Sequence, residues 1–256
     1  MANNAAAPLN GKTALVTGAA RGLGVEIARQ LAARGAHVIV GARDGVKAEA
    51  VASDLRSQGL MASALQLDVT SDDDRRAACL AIDQSHGRLD ILVNNAGVLL
   101  DSPDAGMPAT WRPSQTPVNV MRDTFEANFF APLFLTQGLL PLLKRSDAGR
   151  VVNVSSIRGS LTHLSDPSSP VYPGHALAYD TSKAALNAFT VLIAEELRGT
   201  PIKVNTIHPG WLRTAMGGSQ ADMSVEEGAR TAVQYASLDE QGATGGFFFL
   251  DERLPW

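Results

Sequence analysis

Short β-branched runs alternate with longer helical patterns from one end of this chain to the other, and that rhythm leaves few folds open. Strands are expected at Thr13–Thr17, His37–Gly41, Ala64–Asp68, Asp90–Asn94, Arg150–Val154, Lys203–Ile207 and Gly246–Leu250. Helical patterns fall between them, over Arg21–Arg34, Gly45–Gln58, Asp72–His86, Met121–Lys144, Ala178–Leu197 and Val225–Ser237. The first helix sets Leu23, Ile27 and Leu31 on one face, and Ser71 stands where it would cap the third. The strands read as near-continuous apolar runs, as strands covered on both faces do. This alternation predicts an α/β fold, a seven-stranded parallel sheet with helices on both faces. No repeat or linker divides the 256 residues, so a single domain is expected over 1–256, with 1–10 as a flexible N-terminal tail. Three long loops, Leu99–Pro117, Ser160–Leu177 and Trp211–Met223, all follow strands, at the edge where open α/β sheets bind ligands.

Charge and cysteine usage narrow the function classes. A net charge of −4, with no Lys/Arg cluster, supplies no basic field for nucleic acid. The single cysteine, Cys79, rules out an internal disulfide and is read as an inert core thiol on a helix. Met1–Asn10 holds neither a basic residue nor an apolar run, unlike a secretory signal. The most apolar stretch, Phe129–Leu143, is too short to span a bilayer and is broken by Pro132, Thr136, Gln137 and Pro141. A cytoplasmic protein with no membrane partner is expected. The histidines show no metal-ligand spacing, so no metal is expected.

The turn after the first strand carries the first chemistry. Thr17-Gly18-Ala19-Ala20-Arg21-Gly22-Leu23-Gly24 lets the backbone approach a pyrophosphate, and the helix it opens offers free N–H groups to an anion. The end of the second strand selects among dinucleotides. An acid here would bind a ribose 2′-hydroxyl, but the chain reads Gly41-Ala42-Arg43-Asp44. Arg43 and Arg21 together suit a 2′-phosphate, which points to NADP(H) rather than NAD; Asp44 is read as the cap of the next helix. Farther on, Tyr179 and Lys183 stand four apart on one helical face. A nearby ammonium favours phenolate and turns a tyrosine into a usable acid–base group. Ser155 and Ser156 close the fifth strand, where a hydroxyl can hold a carbonyl oxygen near Tyr179.

Taken in order, these motifs resemble the short-chain dehydrogenase/reductase family over nearly the whole chain. The resemblance rests on Thr17–Gly24, Asp68-Val69, Asn94-Asn95-Ala96-Gly97, Asn128, Ser156, Tyr179/Lys183 and His208-Pro209-Gly210. Thr244-Gly245-Gly246-Phe247-Phe248 and the final Pro255-Trp256 look like its carbonyl-reductase-like branch. The resemblance implies a single-domain, doubly wound Rossmann fold and reversible carbonyl reduction by hydride transfer. It assigns Tyr179 as general acid, Lys183 to the tyrosine pKa and the nicotinamide ribose, Ser156 to the carbonyl, and Asn128 to a proton relay. It sets Gly18, Ala20, Arg21, Gly22, Leu23 and Gly24 at the pyrophosphate and Arg43 at the 2′-phosphate. Asp68 and Val69 fall at the adenine, and Asn95, Ala96 and Gly97 on the adenosine side. Pro209, Gly210, Trp211 and Thr214 fall at the nicotinamide. A small-molecule carbonyl or alcohol is the implied partner. Two departures stand out. The Ser156-to-Tyr179 interval is longer than in many members, near Leu164–His175, which puts the family's common tetramer in doubt and leaves monomer or homodimer. Leu99–Pro117 is also long, with Trp111 either at a substrate rim or anchoring the loop.

Overall fold

Strand β1 (Thr13–Thr17) is buried at every position, and it is an interior strand of the sheet in the computed structural model, which describes residues 8–256. It pairs in parallel with β2 (His37–Ala42) on one side and β4 (Ile91–Asn94) on the other. Beyond β2 lies β3 (Ala62–Gln66); beyond β4 lie β5 (Arg150–Val154), β6 (Lys203–Ile207) and β7 (Phe247–Phe249), all parallel. The chain winds outward from β1 in one direction and then, from β4, in the other. That reversal opens a crevice between the carboxyl ends of β1 and β4, where such sheets take ligands.

The doubly wound α/β fold expected from the sequence is present, with one addition. An eighth strand, β8 (Glu252–Arg253), folds back antiparallel onto β7 through a hairpin whose Leu250 has φ 51°. Two residues separated from an apolar run by a tight turn carry no alternation to read. The third strand also begins earlier than Ala64, because its register with β2 pairs Val38 with Ala62 and ends at Gln66. Most of the expected flexible tail, residues 1–7, lies outside the described residues. Its last part is anchored: Leu9 is buried and its N–H donates to Arg34 O at 2.8 Å.

Helices fill both faces. On one side α1 (Gly22–Ala33), α2 (Gly45–Ser57) and α8 (Val225–Ala236) bury Ile27, Leu31, Ala48, Leu55 and Val233 against the sheet. On the other, α3 (Asp72–His86), α5 (Ala131–Leu143) and α7 (Leu177–Glu196) bury Ile82, Leu135, Leu139 and Leu186. Ser71 accepts from Asp74 N, capping α3 as its position suggests, and Asp44 accepts from Val46 and Lys47 N, capping α2. Met121–Lys144, read as one helix, is three pieces: α4 (Val118–Phe125), a π-helical turn at Glu126–Phe130, and α5. Cys79 is half-buried on α3 rather than in the core. The loop read over Ser160–Leu177 contains a short helix, α6 (Leu161–Ser165).

Candidate active site

The crevice is built from side-chain-to-backbone ties between the β1 turn and the β4 end. Thr17 Oγ1 accepts from Asn95 N and Ala96 N, both at 3.0 Å, and Asn95 Nδ2 donates to Thr17 O at 2.8 Å. These bonds bring the two loops so close that a Cβ on Gly18 would lie 2.9 Å from Ala96 Cα. Gly18 also has φ 63°, so glycine is required twice over. Helix α1 begins here with Arg21 in extended conformation, no side-chain cap and no acid in its first turn. Its leading N–H groups therefore lack a side-chain acceptor, which suits a phosphate group. The residues present thus fit the pyrophosphate of a dinucleotide. Ala20 and Leu23 are half-buried in the same turn, while Gly22 is exposed; Gly24 is buried against Gly18 O.

At the end of β2, Ala42 is buried and Arg43 exposed; Arg21 is exposed in the facing turn. No carboxylate occupies the Ala42 position. Asp68 Oδ1 accepts from Thr70 N and Oγ1. The Thr70 hydroxyl, foremost, with the Thr70 N–H and the charges of Arg43 and Arg75, holds the Asp68 carboxyl below its usual range. Val69, half-buried, packs against the core beside it.

Four polar side chains converge beyond the carboxyl ends of β4 and β5. Asn128 is carried on the π turn, a distortion common at functional sites. Its Oδ1 accepts from Val98 N at 2.8 Å, and its Nδ2 donates to Val98 O and to Ser182 Oγ on α7. A Cβ on Gly97 would meet Asn128 Oδ1 at 3.0 Å and Lys183 Nζ at 3.6 Å, so this glycine keeps the floor of the crevice open. Ser156 caps the 3-10 turn that follows β5, accepting from Arg158 N. Ser155 Oγ instead faces the Lys183 carbonyl at 3.4 Å. Tyr179 and Lys183 lie in the first two turns of α7, both buried, with Lys183 Nζ 5.6 Å from the tyrosine ring centre.

Burial dominates the electrostatics of this pair. It pushes the Tyr179 phenol up to about 12, opposed by the charge of Arg158 and by the Ser156 hydroxyl, and reinforced by Asp180 and Asp101. It pulls the Lys183 ammonium down to about 8, and Lys183 Nζ donates to Val154 O at 2.8 Å. Arg158, which sequence reading did not single out, thus joins Lys183 as a cation beside the phenol. Its Nε donates to Asp180 Oδ1 at 2.8 Å and its Nη2 to Gly174 O, and both Arg158 and Asp180 are buried. Nothing in the sequence marks that pair, because its members lie 22 positions apart.

The third loop completes the rim. Pro209 and Gly210 are half-buried after β6, and Trp211 is anchored by Nε1 donating to Gly217 O at 2.6 Å. Thr214 reaches back over the phosphate turn, its methyl 3.6 Å from where a Gly22 side chain would begin. Burial lowers His208 to about 4, and its ring lies 5.3 Å from that of Phe249. Trp111 is half-buried, whereas the 99–117 loop touches the third loop elsewhere, through Ala105 N donating to Met216 O at 2.8 Å. Among the described residues, no group of three or more His, Cys, Asp or Glu stands close enough to hold a metal.

This fold and crevice define an α/β oxidoreductase scaffold, and comparison with known proteins agrees. Residues 12–225 match the short chain dehydrogenase family, and the chain belongs to it. Within the family it is carbonyl-reductase-like. It is 32% identical to carbonyl reductase [NADPH] 1 of Bos taurus, over 95% of this chain and 98% of the relative. It is 30% identical to (+)-neomenthol dehydrogenase of Arabidopsis thaliana, over 94% and 96%. The crystal structure of NADPH-bound carbonyl reductase from chicken fatty liver superposes with a TM-score of 0.82 at 28% identity, covering 96% of this chain and 99% of the other. Among the described residues, no helix is long and apolar enough to cross a membrane.

Proposed function

We propose that the protein is an NADPH-dependent carbonyl reductase, reversible as an alcohol dehydrogenase, with Tyr179 as its general acid. The observation that carries this reading is the burial of Ser156, Tyr179 and Lys183 together beside the open floor at Gly97. The chemistry that a reduced nicotinamide would supply when bound in the crevice is hydride donation. The residues of the chain do the rest. Ser156 holds the carbonyl oxygen, and Tyr179 delivers a proton to that oxygen as negative charge develops on it. The phenol is buried and therefore protonated at neutral pH, as an acid must be. Arg158 and Lys183 limit the cost of the phenolate left behind, and Asn128, bonded to Ser182 on the catalytic helix, keeps the π turn against that helix. Gly18, Ala20, Arg21, Gly22, Leu23 and Gly24 would hold the pyrophosphate. Asp68, Val69, Asn95, Ala96 and Gly97 would border the adenosine half, and Pro209, Gly210, Trp211 and Thr214 the nicotinamide half. Two exposed guanidiniums, Arg21 and Arg43, with no acid at Ala42, favour NADP(H) over NAD. That preference matches the cofactor in the names of the bovine and chicken proteins. The partner is a small carbonyl or alcohol; we place the protein in the cytoplasm as monomer or homodimer.

The test is loss of NADPH absorbance, with NADH in parallel, against a panel of aldehydes and ketones that includes 4-nitrobenzaldehyde. Faster turnover with NADPH supports the assignment; an NADH preference refutes the arginine pair and keeps the chemistry. Tyr179→Phe should reduce turnover by a factor on the order of 10² or more while NADPH still binds. Unchanged turnover in that variant sinks the mechanism, and tight NADPH binding without turnover on any carbonyl favours a sensor.

A further inference from the structure

Helix α7 begins without a capping side chain at its N-cap position. Ala176, which stands there, has no hydrogen-bonding side chain to offer, and two carboxylates take over, Asp180 from the helix's own first turn and Asp101 from a remote loop. Asp180 Oδ2 accepts from Ala176 N at 3.0 Å. Asp101, from the loop after β4, accepts through Oδ2 from Ala178 N at 2.7 Å and from Tyr179 N at 3.3 Å. Asp101 is 1% exposed, and its second oxygen, Oδ1, is buried with no partner. A buried carboxylate with one oxygen unpartnered costs stability, so its retention calls for an explanation. The same residue also closes its own loop: Asp101 O accepts from Thr110 N at 2.8 Å, and Ser102 Oγ bonds to the carbonyls of Asp104 and Met107. Asp101 is therefore the joint between the 101–110 loop and the backbone of Tyr179 itself.

We propose that Asp101 is a positioning residue for Tyr179, seating the first turn of the catalytic helix from outside and coupling the substrate-rim loop to the proton donor. This rests on the proposed role of Tyr179. The charges around the phenol are Arg158 from the turn after β5, Asp180 and Lys183 from α7, and Asp101 from the loop after β4. Asp101 adds a negative charge to this set and so opposes phenolate formation, which keeps Tyr179 in the protonated form that donates.

Asp101→Asn separates the two duties, since the amide oxygen still accepts from Ala178 N but the charge is gone. The pH profile of kcat/KM for NADPH-dependent reduction of 4-nitrobenzaldehyde falls on the alkaline side as Tyr179 ionises. In Asp101→Asn that fall should move down by about half a pH unit or more, with little change below it. Asp101→Ala should show the same displacement and a lower kcat. By hydrogen exchange, peptides spanning 99–110 and 176–182 should lose protection together in Asp101→Ala and be restored in Asp101→Asn. A merely structural cap would leave the alkaline limb of Asp101→Asn in place, and that result overturns the proposal. Loss of protection in only one of the two segments overturns the coupling, whether or not the enzyme turns over the aldehyde. Tyr179→Phe, run beside them, keeps the outcomes apart. If it retains full turnover, the function reading fails; if it loses turnover while Asp101→Asn leaves the limb unmoved, only Asp101 is refuted.

Discussion

Replacing Arg158 with Met should make the stability of this protein depend on pH in a particular direction. Arg158 and Asp180 are a buried pair, with side chains 10% and 5% exposed. Without the guanidinium, Asp180 keeps only the Ala176 N–H as partner, in a place where burial already raises its carboxyl above the ordinary 3.8. Removing one member of a buried pair typically costs about 3–5 kcal/mol. In the variant the Asp180 pKa climbs further, because the two largest effects lowering it were the Arg158 charge and hydrogen bond. A carboxyl whose folded pKa exceeds its unfolded one takes up a proton on folding, so its contribution is most favourable in acid and is lost as pH rises through the folded pKa. The wild type loses it in a lower pH range than the variant does. The gap between them therefore widens with pH across the interval between their two Asp180 pKa values, by about 1.4 kcal/mol per unit of that interval. Urea unfolding at pH 5 and pH 8 measures it. The expected result is a loss of about 3–5 kcal/mol at pH 8 and a loss at least 1 kcal/mol smaller at pH 5. An equal loss at both values, or a loss below about 1 kcal/mol at pH 8, refutes the claim that Asp180 depends on Arg158 for its charge.

Two further substitutions test the frame of the site. Gly18→Ala should cost about 1–2 kcal/mol for the left-handed backbone plus the clash with Ala96, and should weaken NADPH binding. Gly11→Ala, with φ 74° but open space around it, is the control: the same cost in both by chemical denaturation would remove the close-approach argument. Asn153 Nδ2 donates to Thr190 Oγ1 at 2.8 Å and its Oδ1 accepts from Asn94 Nδ2 at 2.8 Å, all buried. Asn153→Ala should lower stability by about 2–3 kcal/mol through the groups left unpaired. A thermal midpoint within 1 °C of wild type would mean that this chain of side chains is not coupled.

How much of this was legible beforehand differs between elements. Most of the parallel strands were readable because they are largely apolar runs covered on both sides, a signal contained within four to six residues, as in β1, β2, β4 and β5. β8 was not, because two exposed residues, Glu252 and Arg253, take their conformation from pairing with β7 alone. The division of Met121–Lys144 was hidden for a similar reason. A π turn preserves helical composition and changes only which carbonyl each N–H meets. Gly18 and Ser156, named by motif, stand on turns whose local geometry follows from their own sequence. Asn128 and Tyr179 were named by motif too, but the π turn under one and the remote cap under the other were not legible. Arg158, Asp180 and Asp101 had no such signal. Each is an ordinary polar residue until chain crossing brings it to the same helix end.

The linear chain by itself determined the order of strands and helices, the glycine turn, and the residue types able to carry acid–base chemistry. These depend on backbone preference and on periodicity, which act over a few residues. The tertiary structure alone decided that Arg158 joins Lys183 beside the phenol, that Asp101 caps the catalytic helix, and which loop is tied to Tyr179. Those are questions of distance between residues remote in sequence. Burial then sets the strength of each interaction, by removing the water that would otherwise screen it.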